Sequence, residues 1–302
     1  MASNVARAGQ RRPAGRQDTS LAILFIFPAL LGLVVFLIRP LVMGIYYSFT
    51  NYDLLTPAKW VGLENYTRMI HDPVFWNAVW VTLYYVVINI GVQTIVALLI
   101  AVLMQRLARS TVIRSIILTP YLVSNVVAAI VFLWILDTNM GIGNQLLETI
   151  GVGKISFWGS SAWVIPTIAL VNVWRHMGYT ALLLFAGLQA IPEYVYEAAK
   201  VDGASETQMF FKITIPLLRP ILALVLIMSI IGSFQVFDTV QVATAGGPVD
   251  SSRVLQMYIY DKAFSQFDFG YASAMSVALL VILALVTFIQ YRASRAGETD
   301  LG

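Results

Sequence analysis

Residues 73–105 form an apolar run of 33 residues that contains no formal charge. A membrane-crossing α-helix needs about 20 predominantly apolar residues, so this run is longer than one crossing requires. Lipid cannot hydrogen-bond a peptide backbone, and a single segment within it must therefore be helical. Trp76 and Trp80 predict that the start of the run lies along the membrane interface, where tryptophan side chains concentrate.

Five further apolar runs lie along the chain, which is 59% hydrophobic and 12% charged. Soluble domains carry about twice that charged fraction. The sequence thus predicts an all-α membrane protein with six transmembrane helices, at residues 21–38, 73–105, 115–136, 162–188, 220–242 and 269–291. Residues 1–20 predict a disordered basic tail, and residues 293–302 predict a short second tail.

Lysine and arginine are distributed unevenly between the two sides of these spans, and they concentrate on the cytoplasmic side of most membrane proteins. With both termini in the cytoplasm, that side receives Arg7, Arg11, Arg12, Arg16, Arg106, Arg109, Arg114, Lys200, Lys212, Arg219, Arg292 and Arg295. The other side receives Arg39, Lys59, Arg68, Lys154, Arg253 and Lys262. This excess predicts cytoplasmic termini and explains the net charge of +3 without a nucleic-acid partner.

Several kinds of chemistry are excluded by what the sequence lacks. The chain has no cysteine, and its two histidines, His71 and His176, are far apart, which argues against a metal site. It has no G-x-x-x-x-G-K-[ST] loop for nucleotide phosphates. The spans carry no serine–histidine, paired-aspartate or metal set, and we therefore expect no enzymatic activity of its own.

Residues 193–220 interrupt the apolar pattern with charged groups, between the fourth and fifth spans. Pro192 and Glu193 favour a helix start, Gly203 favours a break, and Ser205 with Gln208 forms a capping-box pattern for a second short helix. In this interpretation Pro216 and Pro220 close that helix. The pair could lie flat on the inner membrane surface, or it could dock a soluble partner.

The same stretch carries E-A-A, three residues, glycine, nine residues and I-x-[LI]-P. This pattern, with D-G-A inside it, resembles the cytoplasmic loop of permease subunits of binding-protein-dependent ABC importers. Three other segments resemble the carbohydrate branch, of maltose and glycerol-phosphate type: W-V-G-L-E-N-Y at 60–66, Phe237-Asp238, and A-G-G-P at 245–248. The resemblance covers about residues 20–292.

The resemblance implies a type I ABC importer permease fold, in a multi-pass protein of a bacterial or archaeal inner membrane. It implies that residues 190–219 are a coupling loop for an ATPase, with contacts from Glu197, Ala198, Ala199, Asp202, Gly203 and Ala204. The implied partners are a second permease, two ATPase subunits, an extracytoplasmic solute-binding protein and lipid. ATP and magnesium would bind the ATPases, and this chain would hold no cofactor.

Span four places Asn172, Arg175, His176 and Tyr179 on one helical face. An arginine at mid-membrane is costly in hydrocarbon, so it should face a cavity or a partner helix. By resemblance, this face binds the substrate together with Ser229 and Ser233 of span five. A structural pairing of Arg175 with a partner subunit is the alternative.

Other polar groups in the spans favour a structural role. Asn89, Gln93 and Asn125 are isolated amides, for which interhelical hydrogen bonding is favoured over pore lining. Asp238 lies near the outer end of span five, where a solvated carboxylate is as well explained as a functional one.

The resemblance predicts that the chain forms half of the pathway of an ATP-driven sugar or oligosaccharide importer. Arg175 leaves open an anionic substrate such as glycerol phosphate. A secondary transporter or channel, with Arg175 and His176 as an ion relay, is the alternative from another class. The polar loop argues against it.

Overall fold

The computed structural model describes residues 16–107 and 110–295. This part of the chain is helical and contains no strand, apart from one isolated bridge between Thr50 and Trp60. The helices are α1 (Arg16–Leu33), α2 (Arg39–Tyr47), α3 (Glu64–His71), α4 (Pro73–Leu107), α5 (Thr111–Leu122), α6 (Asn125–Ile135), α7 (Ile142–Thr149), α8 (Val164–Gln189), α9 (Glu193–Val201), α10 (Glu206–Met209), α11 (Ile215–Phe234), α12 (Asp238–Ala243), α13 (Leu255–Tyr260) and α14 (Phe269–Arg295).

Five of the described helical segments are long and apolar enough to cross a membrane, and a sixth span exists if the bent pair α5 and α6 counts as one. The unbroken helices α4, α8 and α14 match the predicted second, fourth and sixth spans to within a few residues at most of their ends. The expectation of an all-α membrane protein is confirmed.

The first span is longer than the sequence pattern indicated. Helix α1 runs through a π-helical turn, Val34–Ile38, into α2, so one continuous helix extends to Tyr47. Pro40 does not stop it, because proline is tolerated in the first turn of a helix. Residues 16–20, which the sequence analysis assigned to the tail, are helical in the described part of the chain, and the predicted tail boundary at residue 20 stays a prediction. The remainder of that tail, residues 1–15, and residues 296–302 lie outside the described residues.

The predicted third span, residues 115–136, is not one straight helix. It is divided into α5 and α6, which meet at 91°. Pro120 lies two residues before the end of α5, and Ser124 caps α6 by accepting a hydrogen bond at 3.2 Å from the amide of Val127. These two local signals outweigh the continuous hydropathy of the run, because a capped helix start favours a new helix axis.

Two apolar clusters hold the spans together. The first, towards one end of the spans, joins α4, α8, α13 and α14 around Tyr85, Ile168 and Tyr271. The second joins α4, α8 and α11 around Ala97, Ala101, Leu184 and Leu218. Small residues at such contacts let helix backbones approach closely. The space between the two clusters is where α4, α8 and α11 carry polar side chains.

Candidate translocation cavity and coupling loop

A cavity of about 280 Å³ lies among α4, α5, α8 and α11, and the first residues of α6 and α12 complete its lining. Five of the six predicted substrate residues line it: Asn172, His176, Tyr179, Ser229 and Ser233. Spacing in the sequence placed each set on one helical face, and packing of α8 against α11 brings the two sets together. The cavity lies among helices that are long and apolar enough to cross a membrane.

Arg175, the sixth predicted residue, does not line the cavity. Its Nε donates a hydrogen bond at 2.6 Å to the carbonyl of Val123, the residue at the bend between α5 and α6. That carbonyl follows the end of α5 and has left the helical hydrogen-bond ladder. Arg175 thus pairs within its own chain, where the sequence left a choice between substrate and a partner subunit.

Arg175 and His176 also contact each other. Nη1 of Arg175 lies 2.9 Å from Nε2 of His176, and Nδ1 of His176 lies 2.9 Å from the carbonyl of Asn172. Arginine only donates, so Nε2 accepts and the ring proton lies on Nδ1. The imidazole is therefore neutral in this arrangement.

Sequence reasoning missed further lining residues, namely Tyr85, Asn89, Gln93, Tyr121, Asn125 and Asp238. The amides do form the interhelical hydrogen bonds expected of them. Asn89 Nδ2 donates to Ser233 Oγ at 2.9 Å, and Gln93 Nε2 donates to Thr180 Oγ1 at 2.9 Å. The i, i+4 spacing of Asn89 and Gln93 was the signal for a shared face.

Asn125 and Asp238 connect α6 to α12 beside the cavity. Asn125 Nδ2 donates to Asp238 Oδ2 at 2.9 Å, so this carboxylate is bonded to another span rather than only to solvent. The side-chain oxygens Asn89 Oδ1 and Asn125 Oδ1 are buried and have no hydrogen-bond partner within the described part of the chain. Buried acceptors without a partner are costly, which favours a ligand that donates hydrogen bonds.

Aromatic rings form one wall of the cavity. The rings of Tyr121 and Tyr179 stack with centroids 4.6 Å apart, and His176 meets Tyr121 edge-on at 5.8 Å. One face of Tyr179 is therefore already covered by Tyr121. The hydroxyl end of each tyrosine remains the polar feature that it can offer to a ligand.

The coupling loop follows the predicted order of helix, glycine break and helix. Helix α9 ends before Gly203, whose φ of +76° is the left-handed conformation that favours glycine. Nothing within 4 Å would meet a Cβ at Gly203, so its backbone conformation, not packing within this chain, calls for glycine. Ser205 and Gln208 form the predicted capping box.

The second helix of the loop differs from the prediction. Helix α10 does not end at Pro216 but continues through a π-helical turn, Phe210–Thr214, into α11. Pro216 lies in the first turn of α11 and Pro220 lies inside it. The loop therefore joins span five, a cavity-lining helix, without a break.

The predicted coupling residues do not all face outward. Glu197, Ala198, Asp202 and Gly203 are exposed and Ala204 is half-buried, whereas Ala199 is buried against its own chain. The carbonyl of Ala199 also accepts from the amide of Ala204 at 2.9 Å, which closes the helix end.

The exposed surface of the coupling loop carries apolar as well as charged side chains. Val201 is 88% exposed, and Tyr194 and Phe211 are also largely exposed. Between the loop and the C-terminal ends of α4 and α8 lies a recess of about 840 Å³, lined in part by Glu193, Glu197 and Glu206. Exposed apolar side chains beside such a recess are typical of a protein contact surface.

The other motifs build the opposite side of the molecule. Asn65, from the W-V-G-L-E-N-Y segment, donates to the carbonyls of Ser48 and Thr50 at 3.0 and 2.8 Å. Gly246, in A-G-G-P, has a φ of +88°, and the Thr244 and Ser252 hydroxyls lie 2.7 Å apart across that loop. Both segments form folded connections at the ends of spans.

Asp72 is the centre of a polar network at the start of α4. Its Oδ2 accepts hydrogen bonds from the hydroxyls of Tyr258 and Tyr271 at 2.6 and 2.7 Å. Its Oδ1 accepts from the amides of Val74 and Phe75 in the first turn of α4. Burial alone would raise the pKa of Asp72, but these hydrogen bonds outweigh it and lower the pKa.

No cluster of three or more histidine, cysteine, aspartate or glutamate side chains that could hold a metal ion occurs among residues 16–107 and 110–295. The polar groups of the cavity are amides, hydroxyls, the imidazole of His176 and one carboxylate. Such a lining can bind a polar solute by hydrogen bonds.

A polar cavity between spans, together with a helix–glycine–helix loop that joins two of those spans, is the architecture of a membrane permease. The chain belongs to the family of binding-protein-dependent transport system inner membrane components, whose family model matches residues 93–296. Members of this family are the non-catalytic membrane subunits of importers, so the prediction that this chain is not an enzyme is confirmed.

Individual relatives cover almost the whole chain. The sulfoquinovosyl glycerol transport system permease protein SmoG of Agrobacterium fabrum is 34% identical over 93% of this chain and 92% of its own length. The trehalose/maltose transport system permease protein MalF of Thermococcus litoralis is 33% identical over 92% of this chain and 95% of its own.

A solved structure shares the fold. A chain from the crystal structure of a bacterial ABC transporter involved in the import of the acidic polysaccharide alginate matches with a TM-score of 0.81. It is 22% identical, and the match covers 93% of this chain and 96% of that chain. The predicted permease fold is thereby confirmed.

Proposed function

We propose that this chain forms half of the translocation pathway of an ATP-driven importer for a sugar or oligosaccharide. The cavity carries this proposal, because it offers amide and hydroxyl groups to a polyhydroxylated solute at the middle of the membrane. Relatives named for trehalose, maltose and sulfoquinovosyl glycerol transport support a carbohydrate substrate. We place the chain in a bacterial or archaeal inner membrane with both termini in the cytoplasm.

The proposed machine contains this chain, a second permease, two ATPase subunits that bind ATP and magnesium, and an extracytoplasmic solute-binding protein. The exposed part of the coupling loop, with Glu197, Asp202 and Val201, would seat in an ATPase subunit. Closure of the ATPases would move this loop as a rigid body. The continuous helix from α10 to α11 would then carry that movement to Ser229 and Ser233 in the cavity.

The alternative of a secondary transporter with an Arg175–His176 relay has little support. Both side chains are hydrogen-bonded to backbone carbonyls and to each other. A relay needs groups that exchange protons along a path, and arginine does not deprotonate in proteins. A chain that worked alone would also have no use for an exposed apolar coupling loop.

The coupling role is tested by replacing Glu197 with lysine in the complete importer, reconstituted in lipid vesicles with its binding protein. We expect loss of at least tenfold of the ATP hydrolysis that the loaded binding protein stimulates, with normal membrane insertion of the complex. Glu148→Lys is the matched control, because Glu148 is an exposed carboxylate in α7 away from the loop. Full stimulated hydrolysis in the Glu197 variant would disprove the coupling role.

A further inference from the structure

We infer that helix α7 is a membrane-surface helix, which lies along the bilayer and places one apolar face among lipid acyl chains. Spans three and four flank α7, so it lies at the end of the spans opposite to the coupling loop. The inference goes beyond the proposed function, because it assigns a lipid-binding surface to a segment outside the cavity and outside the coupling loop. In the proposed orientation the lipid belongs to the outer leaflet.

One face of α7 is apolar and uncovered. Ile142, Leu146 and Ile150 follow one another at intervals of four residues and form an apolar stripe, since residues at this spacing share a face of a helix. Each of these side chains is between 58% and 73% exposed, so the described part of the chain leaves most of it uncovered. Met140 and Val152, which flank the helix, are exposed as well. Such a row of exposed apolar side chains is typical of a surface that contacts lipid or another protein.

The other two faces of α7 are polar and differ from each other. Asn144, opposite the apolar stripe, is buried, and its Nδ2 donates to the carbonyls of Asp137 and Ile155 at 3.0 Å each. Its Oδ1 accepts from the amide of Ile155 at 2.8 Å. Gln145 and Glu148 are exposed on the remaining face. The helix therefore has one side against the protein, one apolar side and one polar exposed side, which is the arrangement of a helix at a membrane interface.

Two glycines hold α7 against the end of span three. A Cβ at Gly141 would overlap backbone atoms of Ile135 and Asp137, and a Cβ at Gly143 would lie 3.1 Å from the carbonyl oxygen of Ile135. Glycine permits this approach because it has no Cβ. Since Ile135 is the last residue of α6, α7 begins at the depth where span three ends.

Tryptophan side chains mark that depth as the membrane interface. Trp134, in the last turn of α6, is 79% exposed, and Trp163, immediately before α8, is also exposed. Tryptophan concentrates at the boundary between membrane and water, because its ring is apolar and its N–H is polar. Helix α7 lies between these two residues along the chain, and its start contacts the end of α6. It is thus held at the level of the lipid headgroups and the adjoining acyl chains.

The exposed face of α6 is apolar as well. Val127, Ile130, Val131 and Trp134 are exposed at i, i+3, i+4 and i+7, on one face of the helix. The apolar surface of span three thus continues along the chain into the apolar stripe of α7. Lipid is favoured over a protein partner for this reason, because the bilayer that surrounds a span also reaches a helix held at the end of that span.

The test measures the depth of single spin labels, which is practicable because the chain contains no cysteine. Leu146→Cys and Ile150→Cys each place a nitroxide on the apolar stripe, and Gln145→Cys places one on the polar exposed face of the same helix as the matched control. The complete importer, with cysteines removed from its other subunits, is reconstituted in nanodiscs. Power-saturation electron paramagnetic resonance then compares collisions of each label with oxygen, which dissolves in lipid, and with a water-soluble nickel chelate.

We expect oxygen to be the main collision partner of the labels at positions 146 and 150, at a depth of about 5–10 Å into the boundary of headgroups and acyl chains. The label at position 145 should collide mainly with the nickel chelate. Preferential collision of the stripe labels with the chelate would place the stripe in water and overturn the inference. Exclusion of both reagents, with an immobilised spectrum, would overturn it in favour of a protein subunit that covers the stripe. Oxygen preference at position 145 as well would contradict the three-sided arrangement.

Discussion

Arg175 shows that a charged residue at mid-membrane can serve the backbone of its own chain. The sequence identified it as costly and in need of a partner, which is correct. It could not identify the partner, because the carbonyl of Val123 becomes available only where α5 ends and the span bends. The pairing depends on a contact between residues 52 positions apart, which no local pattern encodes.

Replacing Arg175 with methionine tests this role at the level of one side chain. The variant leaves the Val123 carbonyl and His176 without their donor, and we expect a loss of about 1–2 kcal/mol in unfolding free energy. Arg175→Lys retains a charge and a donor and should lose less. Thermal unfolding of the purified importer measures both. A stable Arg175→Met importer that no longer transports its substrate would instead assign Arg175 to substrate binding.

Asp72 gives the protein a defined response to acid. Its pKa is lowered in the folded state, so its contribution to stability is fully present above its unfolded pKa of about 3.9. That contribution is lost as the pH falls through the lower, folded pKa. We expect the thermal midpoint of wild type to decline below about pH 4. Asp72→Asn should flatten that decline, because the variant has no carboxylate to protonate at position 72. Identical acid profiles of the two proteins would contradict this role.

At the scale of helices, hydropathy predicted where α4, α8 and α14 lie because each run has no competing local signal. It failed at the α5–α6 bend, since a hydropathy window averages over the Ser124 cap. The prolines Pro216 and Pro220 wrongly predicted an end between α10 and α11, because a proline that closes a helix and a proline in the first turn of a helix look alike in sequence. The bend that hydropathy missed also shapes the cavity, because Tyr121 and Asn125 reach the lining only where the span bends.

The close approach of α5 to α8 gives an element-level prediction with an internal control. A Cβ at Gly178 would overlap the carbonyl oxygen of Ile117, whereas a Cβ at Gly91 in α4 would meet nothing within 4 Å. Gly178→Ala should therefore push α5 away and cost about 1–3 kcal/mol of stability, as overpacking does. Gly91→Ala should be neutral or slightly stabilising. Equal thermal midpoints for the two variants would mean that the contact is loose.

For the whole molecule, the amides at mid-membrane explain why the predicted site was incomplete. The sequence analysis favoured interhelical hydrogen bonding over cavity lining for these amides, but Asn89 and Gln93 do both. Sequence can report that a span carries a polar face. Which polar faces converge depends on the packing of four helices, so the lining set emerges only at the level of the assembled chain.

The orientation of the molecule can be measured directly because the chain contains no cysteine. In the permease expressed without its ATPase subunits, a cysteine introduced at Val201, 88% exposed in the coupling loop, should react with a membrane-impermeant maleimide only after the cells are permeabilised. A cysteine at Val249, 96% exposed in the loop after α12, should react in intact cells once any outer membrane is removed. This result follows from placing the lysine- and arginine-rich side in the cytoplasm. The reverse labelling pattern would place the coupling loop outside, where no ATPase could reach it, and would refute the proposed function.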